Sequence, residues 1–232
     1  MTTVNILSGG AAQGLVRGLS EPFKERTGFG IDGEFGAVGI MADKLRAGTL
    51  ADLVILTQAL LAKLAEEKLV IPSSISDVGR VETALAVRSR DPKVTVKTEA
   101  DLREVLRSAD AIYVPDTRAS TAGQHVAKVL DQLGIAYEVA SRLKIFPNGA
   151  TAMRELAAST AAHPIGCTQA TEIIATDGIA LSGALPPGCE LVTMYTAGVT
   201  TRAAHPQEAA ALITLLTGAD RKELRQRAGF TG

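Results

Sequence analysis

The chain has 232 residues, 46% hydrophobic and 21% charged, which is enough apolar material for one large domain or two intimate halves. Lys and Arg number 24 against 25 Asp and Glu, a net charge of −1, and aromatics are 3% with no Trp. Such a chain has no bulk basic field for nucleic acid or acidic membranes and no aromatic platform for stacking bases or sugars.

Cys167 and Cys189 carry no metal spacing and no disulfide framework, so two separate thiols are expected, with a single disulfide as the alternative. No window approaches the ~18 apolar residues of a membrane span. Met1 to Leu7 has neither the basic and apolar segments nor the cleavage site of a leader. The expected location is periplasmic if a leader has been removed and cytoplasmic otherwise.

Short apolar runs alternate with amphipathic helical patterns along the chain, which marks an α/β protein with mainly parallel strands. Val4 to Leu7 reads as the first strand. Ser8-Gly9-Gly10 then turns into a helix with Ala12, Leu15, Val16, Leu19 and Phe23 at helical spacing, stopped by Thr27-Gly28. Ile31 to Phe35 alternates as a strand, and Gly36-Ala37-Val38-Gly39 leads to a short helix. Leu53 to Leu56 is a compact buried strand, with Thr57 as N-cap for the helix carrying Leu60, Leu61 and Leu64. Val70 to Gly79 reads as a loop and Arg80 to Val87 as a strand.

A helix through Leu102, Val105 and Leu106 precedes the strand Ala111 to Val114, and the loop Pro115 to Ser120 opens a helix near Thr121. Leu143 to Phe146 is a strand, followed by a helix opened by Pro147-Asn148-Gly149. Pro164 to Cys167 is a strand, and Thr168-Gln169 is expected to open the next helix. Glu190 to Ala197 reads as a long strand before two C-terminal helices, the first starting at His205-Pro206.

One device recurs. A strand ends, a short segment of small or polar residues follows, and a helix begins: at Ser8-Gly9-Gly10, Gly36-Ala37-Val38-Gly39, Thr57, Thr121-Ala122-Gly123, Asn148-Gly149-Ala150 and Thr168-Gln169. In parallel α/β sheets these turns share the carboxyl edge, where ligands bind. Helix N-termini there offer free N–H groups and the positive end of a dipole, so converging turns make an anion site.

The sequence resembles the molybdate-binding-protein-like branch of the type II periplasmic binding proteins, the solute receptors of ABC importers. The resemblance is carried by the opening Val-Asn-Ile-Leu-Ser-Gly-Gly-Ala-Ala, by Phe35 to Gly39, by Ala51-Asp52-Leu53 to Thr57, and by Gly79 to Val87. In the second half it rests on Phe146 to Ala150 and Pro164 to Gln169. It implies two lobes, each a mainly parallel sheet flanked by helices, with the ligand cleft between them. Residues 1–80 plus 197–232 would form lobe one and 81–196 lobe two, with hinge strands at 80–87 and 192–199 closing on the ligand. A monomer with an ABC-transporter permease as partner is implied, and no cofactor or metal.

Departures from the family pattern point away from molybdate. Ser8 stands in the first loop, but Gly36 to Gly39 has no hydroxyl, and Cys167-Thr168-Gln169 replaces a tyrosine-containing segment. A small organic carboxylate suits apolar Ala37 and Val38 beside polar Thr57, Asn148, Thr168 and Gln169, and backbone N–H groups keep a molybdate-like oxyanion as the other expected ligand. The same branch includes an aconitate-isomerase-like family, so an isomerase of a small unsaturated tricarboxylate is the alternative.

Several side chains admit both readings. Arg80 on a hinge strand is a candidate partner for a ligand carboxylate, and Arg118 a candidate rim residue. In an isomerase His125, near the Thr121 turn, is the candidate base, because imidazole exchanges protons near neutrality. On a helix surface it would be inert. His163 and His205 precede prolines and read as structural, and three scattered histidines make no metal triad. Cys167 has no base partner in sequence and reads as a buried small hydrophobe. Glu172 and Asp116 are acids near the cleft loops, where a helix-surface position and a loop cap explain them as well. Gly9, Gly10 and Gly14 do not match the dinucleotide fingerprint.

Overall fold

The computed structural model describes residues 2–232. The chain divides into two compact units, one made of the segment through Val81 with Thr193–Gly232, the other of Glu82–Val192.

In the first unit, β1 (Thr3–Gly9) leads through a 3-10 turn at Gly10–Ala12 into α1 (Gln13–Thr27), which ends where Gly28 takes the left-handed conformation at φ 75°. The predicted stripe of α1 is its core face, with Leu15, Val16, Leu19 and Phe23 buried. Next come β2 (Gly30–Gly36), α2 (Val38–Arg46), β3 (Leu53–Thr57) and α3 (Gln58–Glu66). β1 pairs in parallel with β2 and with β3, which aligns Ser8 with Phe35 on one side and Ile55 on the other. Asp52, 1% exposed, is a buried knot in this unit. Its carboxylate accepts the Asn5 N–H and the His205 N–H, each at 2.8 Å, fixing the start of a later helix to the sheet.

β4 (Ser76–Arg88) runs out of this unit and into the second. It begins four residues inside the segment expected to be a loop, because Ser76 to Gly79 continues the extended chain. The second unit follows with α4 (Glu99–Ser108), β5 (Ala111–Pro115), α5 (Thr121–Gln132), the single turn α6 (Ala136–Val139), β6 (Leu143–Phe146), α7 (Gly149–Ala158), β7 (Pro164–Gln169), α8 (Ala170–Ile174) and β8 (Ile179–Ala184). β5 pairs in parallel with β6 and β7, while β4 is antiparallel to β7 and β8. Its core packs Leu85, Ile112, Val114, Ile165 and Cys167 of the sheet against Leu102, Leu106, Val126, Val129 and Leu130 of α4 and α5. Each such leucine contributes roughly 1.5–3 kcal/mol of burial.

β9 (Val192–Val199) returns the chain and pairs antiparallel with β3, Tyr195 opposite Thr57 and Val199 opposite Leu53. That pairing is why the units divide at Val192/Thr193, ahead of the passage expected near 197. α9 (Pro206–Thr217) and α10 (Lys222–Arg227) complete the first unit. The fold is mixed α/β with flanking helices, as the sequence indicated. α6 and β8 are elements the sequence did not announce.

Candidate functional site

In each unit the parallel strands bring their turns to one edge. In the first unit β1, β2 and β3 end at Gly9, Gly36 and Thr57, so Ser8, Gly9, Gly10, Ala37, Val38 and Thr57 gather there. None of these turns is capped by its own side chains. Gly9, Ala37 and Thr57 sit at the N-cap positions of the 3-10 turn, α2 and α3 with no side-chain cap hydrogen bond. The first N–H groups of the nine-residue helices α2 and α3 therefore have no side-chain acceptor. Gly9 is required for the approach: a Cβ there would lie 2.7 Å from Val38 Cγ1 and 3.1 Å from Tyr195 Cε1. Ser8 is fully buried, and its hydroxyl donates to the Gly9 carbonyl at 2.9 Å. Rotation about Cβ–Oγ is what would turn that proton toward an anion.

The second unit behaves differently. The ends of β5, β6 and β7 bring together Thr121 and Ala122, then Asn148, Gly149 and Ala150, then Thr168 and Gln169. Here the turns are capped from within. Ser120 Oγ accepts the Gly123 N–H at 3.5 Å, and Asn148 Oδ1 accepts the Thr151 N–H at 2.8 Å. Gln169 stands at the N-cap of α8, so this pair opens a helix as expected, and the strand before it runs two residues further than expected. Thr168 and Gln169 are the last residues of β7, drawn into the sheet by pairing with Ala84 and Thr83, and α8 starts after them.

The residue that sequence reasoning undervalued is Glu172. In sequence a helix-surface position explains it as well as one at a cleft loop, whereas in the structure it is 6% exposed. Thr168 Oγ1 donates to its Oε2 at 2.6 Å, and the backbone N–H groups of Ala150, Gln169 and Gly149 lie near enough to favour its charged form. Burial pushes the Glu172 carboxyl above the ordinary carboxylate range, opposed by the Thr168 hydroxyl and those three amides. Gly149 makes the contact possible, since a Cβ there would stand 1.9 Å from Glu172 Oε2. The available sequence signal was that glycine beside an Asn cap.

Thr83 is the second missed residue. It lies opposite Gln169 on the same sheet face, 1% exposed, with a hydroxyl that has no hydrogen-bond partner among the described residues.

The remaining candidates fall outside these clusters. Arg80 is exposed, and its backbone is bridged to Thr231. Arg118 is exposed beside Asp116, whose carboxylate accepts the Arg118 and Ala119 N–H groups at 2.7 and 2.9 Å and is held below its usual range by those two bonds, Ala119's first. His125 Nε2 sits 2.8 Å from the Cys189 carbonyl, which ties α5 to the segment after β8. Both cysteines are free thiols, and burial pushes Cys167 up to about 12, leaving no thiolate for nucleophilic work. No cluster of three His, Cys, Asp or Glu fit for a metal occurs among the described residues. A cavity of about 510 Å³ lies at the opposite edge of the second unit, lined by Val87, Val94, Val105, Ala109, Pro164 and Ile165, and its mostly apolar wall offers an anion little.

A family model described as bacterial extracellular solute-binding protein matches residues 4–231. The chain belongs to that family. Among solved structures it is similar to the periplasmic molybdate-binding protein of Azotobacter vinelandii, with a TM-score of 0.81 at 16% identity over 99% of both chains. It is also similar to L-phospholactate-bound PEB3, with a TM-score of 0.70 at 17% identity over 99% of both chains; PEB3 is a Campylobacter jejuni protein. At these identities the likeness is one of fold. By sequence the chain is 26% identical to an aconitate isomerase of a Pseudomonas species, over 99% of this chain and 88% of that one. Among the described residues no helix of this family member is long and apolar enough to cross a membrane.

Proposed function

We propose that this solute-binding protein captures a small organic anion, a carboxylate in preference to a tetrahedral oxyanion, at the carboxyl edges of its sheets. Several of the structural neighbours are named for anions: molybdate, sulfate and L-phospholactate. The observation that carries the finer reading is the contrast between the turns. Those of the first unit are left without side-chain caps and contain no Lys or Arg, so ligand charge is met by N–H groups and helix dipoles. Those of the second unit are already furnished with acceptors. Ser8, Gly10, Ala37, Val38 and Thr57 are the proposed charge-holding set, and Thr83, Thr168 and Gln169 the neutral one. The resemblance adds closure of the units about β4 and β9, an ABC-transporter permease as partner, and a periplasmic location.

A thermal-shift panel of molybdate, tungstate, sulfate, citrate, aconitate and phospholactate tests the reading. A ligand at 100 times its Kd adds about 2.7 kcal/mol of stability. Carboxylates are expected to raise Tm, and Ser8→Ala with Thr57→Ala to weaken the response. A panel that leaves Tm unmoved rejects anion capture.

The aconitate isomerase relative, covering 99% of this chain, supports a second reading: isomerisation of a small unsaturated tricarboxylate. An NMR time course of aconitate with the protein decides it, since a receptor leaves the spectrum unchanged. His125, with one ring nitrogen at the Cys189 carbonyl, would have to act through the other. Unaltered turnover in His125→Ala would remove it from that role.

A further inference from the structure

The start of α7 is a cradle of donors, and the molecule fills it with a group of its own. The Thr168 hydroxyl donates into it at 2.6 Å, the bare Cα of Gly149 borders it, and the N–H groups of Gly149, Ala150 and Gln169 lie near enough to favour a charge there. A tetrahedral dianion would need this convergence of donors in the second unit. Glu172 reaches it from α8, and the absent side chain of Gly149 gives it room. No Lys or Arg accompanies it among the groups that act on its carboxyl, so an anion arriving there would meet a carboxyl group that already holds the Thr168 hydroxyl. Across the end of β7 stands the contrasting group, the buried and unpartnered hydroxyl of Thr83.

We propose that Glu172 is the specificity-determining residue of the second unit: by occupying the α7 cradle it refuses a fully ionised tetrahedral oxyanion. This unit is thereby left to meet the ligand through neutral hydrogen bonds, with the Thr83 hydroxyl the unfilled one. The inference deepens the small-anion reading and rests on it. It assigns the refusal of molybdate-like ligands to one side chain.

Two measurements on the full chain test it. The first is calorimetric: the ratio of affinities for molybdate and for the best carboxylate of the panel, in wild type and in Glu172→Gln. Wild type is expected to favour the carboxylate at least 100-fold, and the variant to narrow that ratio at least tenfold. The second is chemical rescue of Glu172→Ala, whose emptied cradle should accept acetate. Acetate is expected to raise the Tm of this variant by several degrees beyond its effect on wild type, while acetamide and chloride at equal concentration do not.

Wild type binding molybdate as tightly as any carboxylate overturns the proposal, and needs no variant to fold. Acetate rescue with an unchanged affinity ratio reduces Glu172 to a structural cap and overturns it as well. Absence of rescue rejects the cradle itself. A wild type blind to every anion ends the small-anion reading, and the selectivity claim with it, whatever acetate does to the variant.

Discussion

At the scale of single residues, Gly149 and Glu172 form a lock whose two halves are far apart in sequence. A methyl group at Gly149 would sit 1.9 Å from Glu172 Oε2 and 2.2 Å from Thr168 Oγ1, so either the carboxyl leaves the Thr168 hydroxyl or α7 shifts. Gly149→Ala should therefore cost about 3 kcal/mol or more, the range for buried polar groups stripped of partners. Gly183→Ala, in β8 with nothing within 4 Å of its new Cβ, should stay within about 0.5 kcal/mol. Urea unfolding of both variants checks the pair, and equal losses would refute the lock. The pH dependence adds a sign. Glu172 is raised on folding above its ordinary 4.5, so its contribution is full below that value and falls as pH climbs through the folded pKa. Asp116 is lowered from 3.8, so its contribution is present above that value and lost as pH falls through the folded pKa. Stability curves of Glu172→Gln and Asp116→Asn against wild type should therefore diverge from it in opposite pH directions. The sequence made Asp116 legible because a loop acid two and three residues before the amides it caps is a local pattern. It hid Glu172 because Thr168 and Glu172, four apart, look like helix neighbours, whereas Thr168 ends a strand.

At the scale of elements, α7 is gripped at both ends. Asn148 and Glu172 hold its start, and past its end the guanidinium of Arg88, 6% exposed, donates to the carbonyls of Ser159, Ala161 and Ala162 at 2.7, 3.0 and 3.2 Å. Asp91 balances the charge from 2.5 Å. Arg88→Met leaves those carbonyls and Asp91 without their donor and should cost about 3 kcal/mol. Hydrogen exchange should then quicken first in the second half of α7 and in residues 159–163, and a uniform change across the unit would argue against a local clamp. What was legible here followed from periodicity. α1 and α5 carry long apolar stripes, and β3 and β5 are short apolar runs bounded by turn residues. β8 was not legible, because Ile-Ala-Leu-Ser-Gly-Ala alternates no polarity and its first five residues are all half-buried. It pairs only along β4, a non-local choice that no short window carries. The extension of β7 to Gln169 is the same kind of decision, made by Ala84 and Thr83 across the ladder.

At the scale of the whole molecule, the near-zero net charge and the site turns bear on how a ligand is recruited. A net charge of −1 gives no long-range attraction for an anion, and the turns that would hold it contain neither Lys nor Arg. Recognition through N–H groups and dipoles at a dehydrated edge is screened far less by salt than pairing with an exposed arginine. Arg80 is such an arginine, exposed on β4 with its backbone tied to Thr231. The two modes separate cleanly in titrations at rising ionic strength. If backbone donors carry the charge, raising sodium chloride from about 50 to 500 mM should change Kd by less than about threefold, because the Debye length only falls through distances the buried contacts do not use. Arg80→Ala should then leave both affinity and salt slope unaltered. A steep loss of affinity with salt, abolished by Arg80→Ala, would move the ligand's carboxylate from the helix N-termini to the β4 arginine.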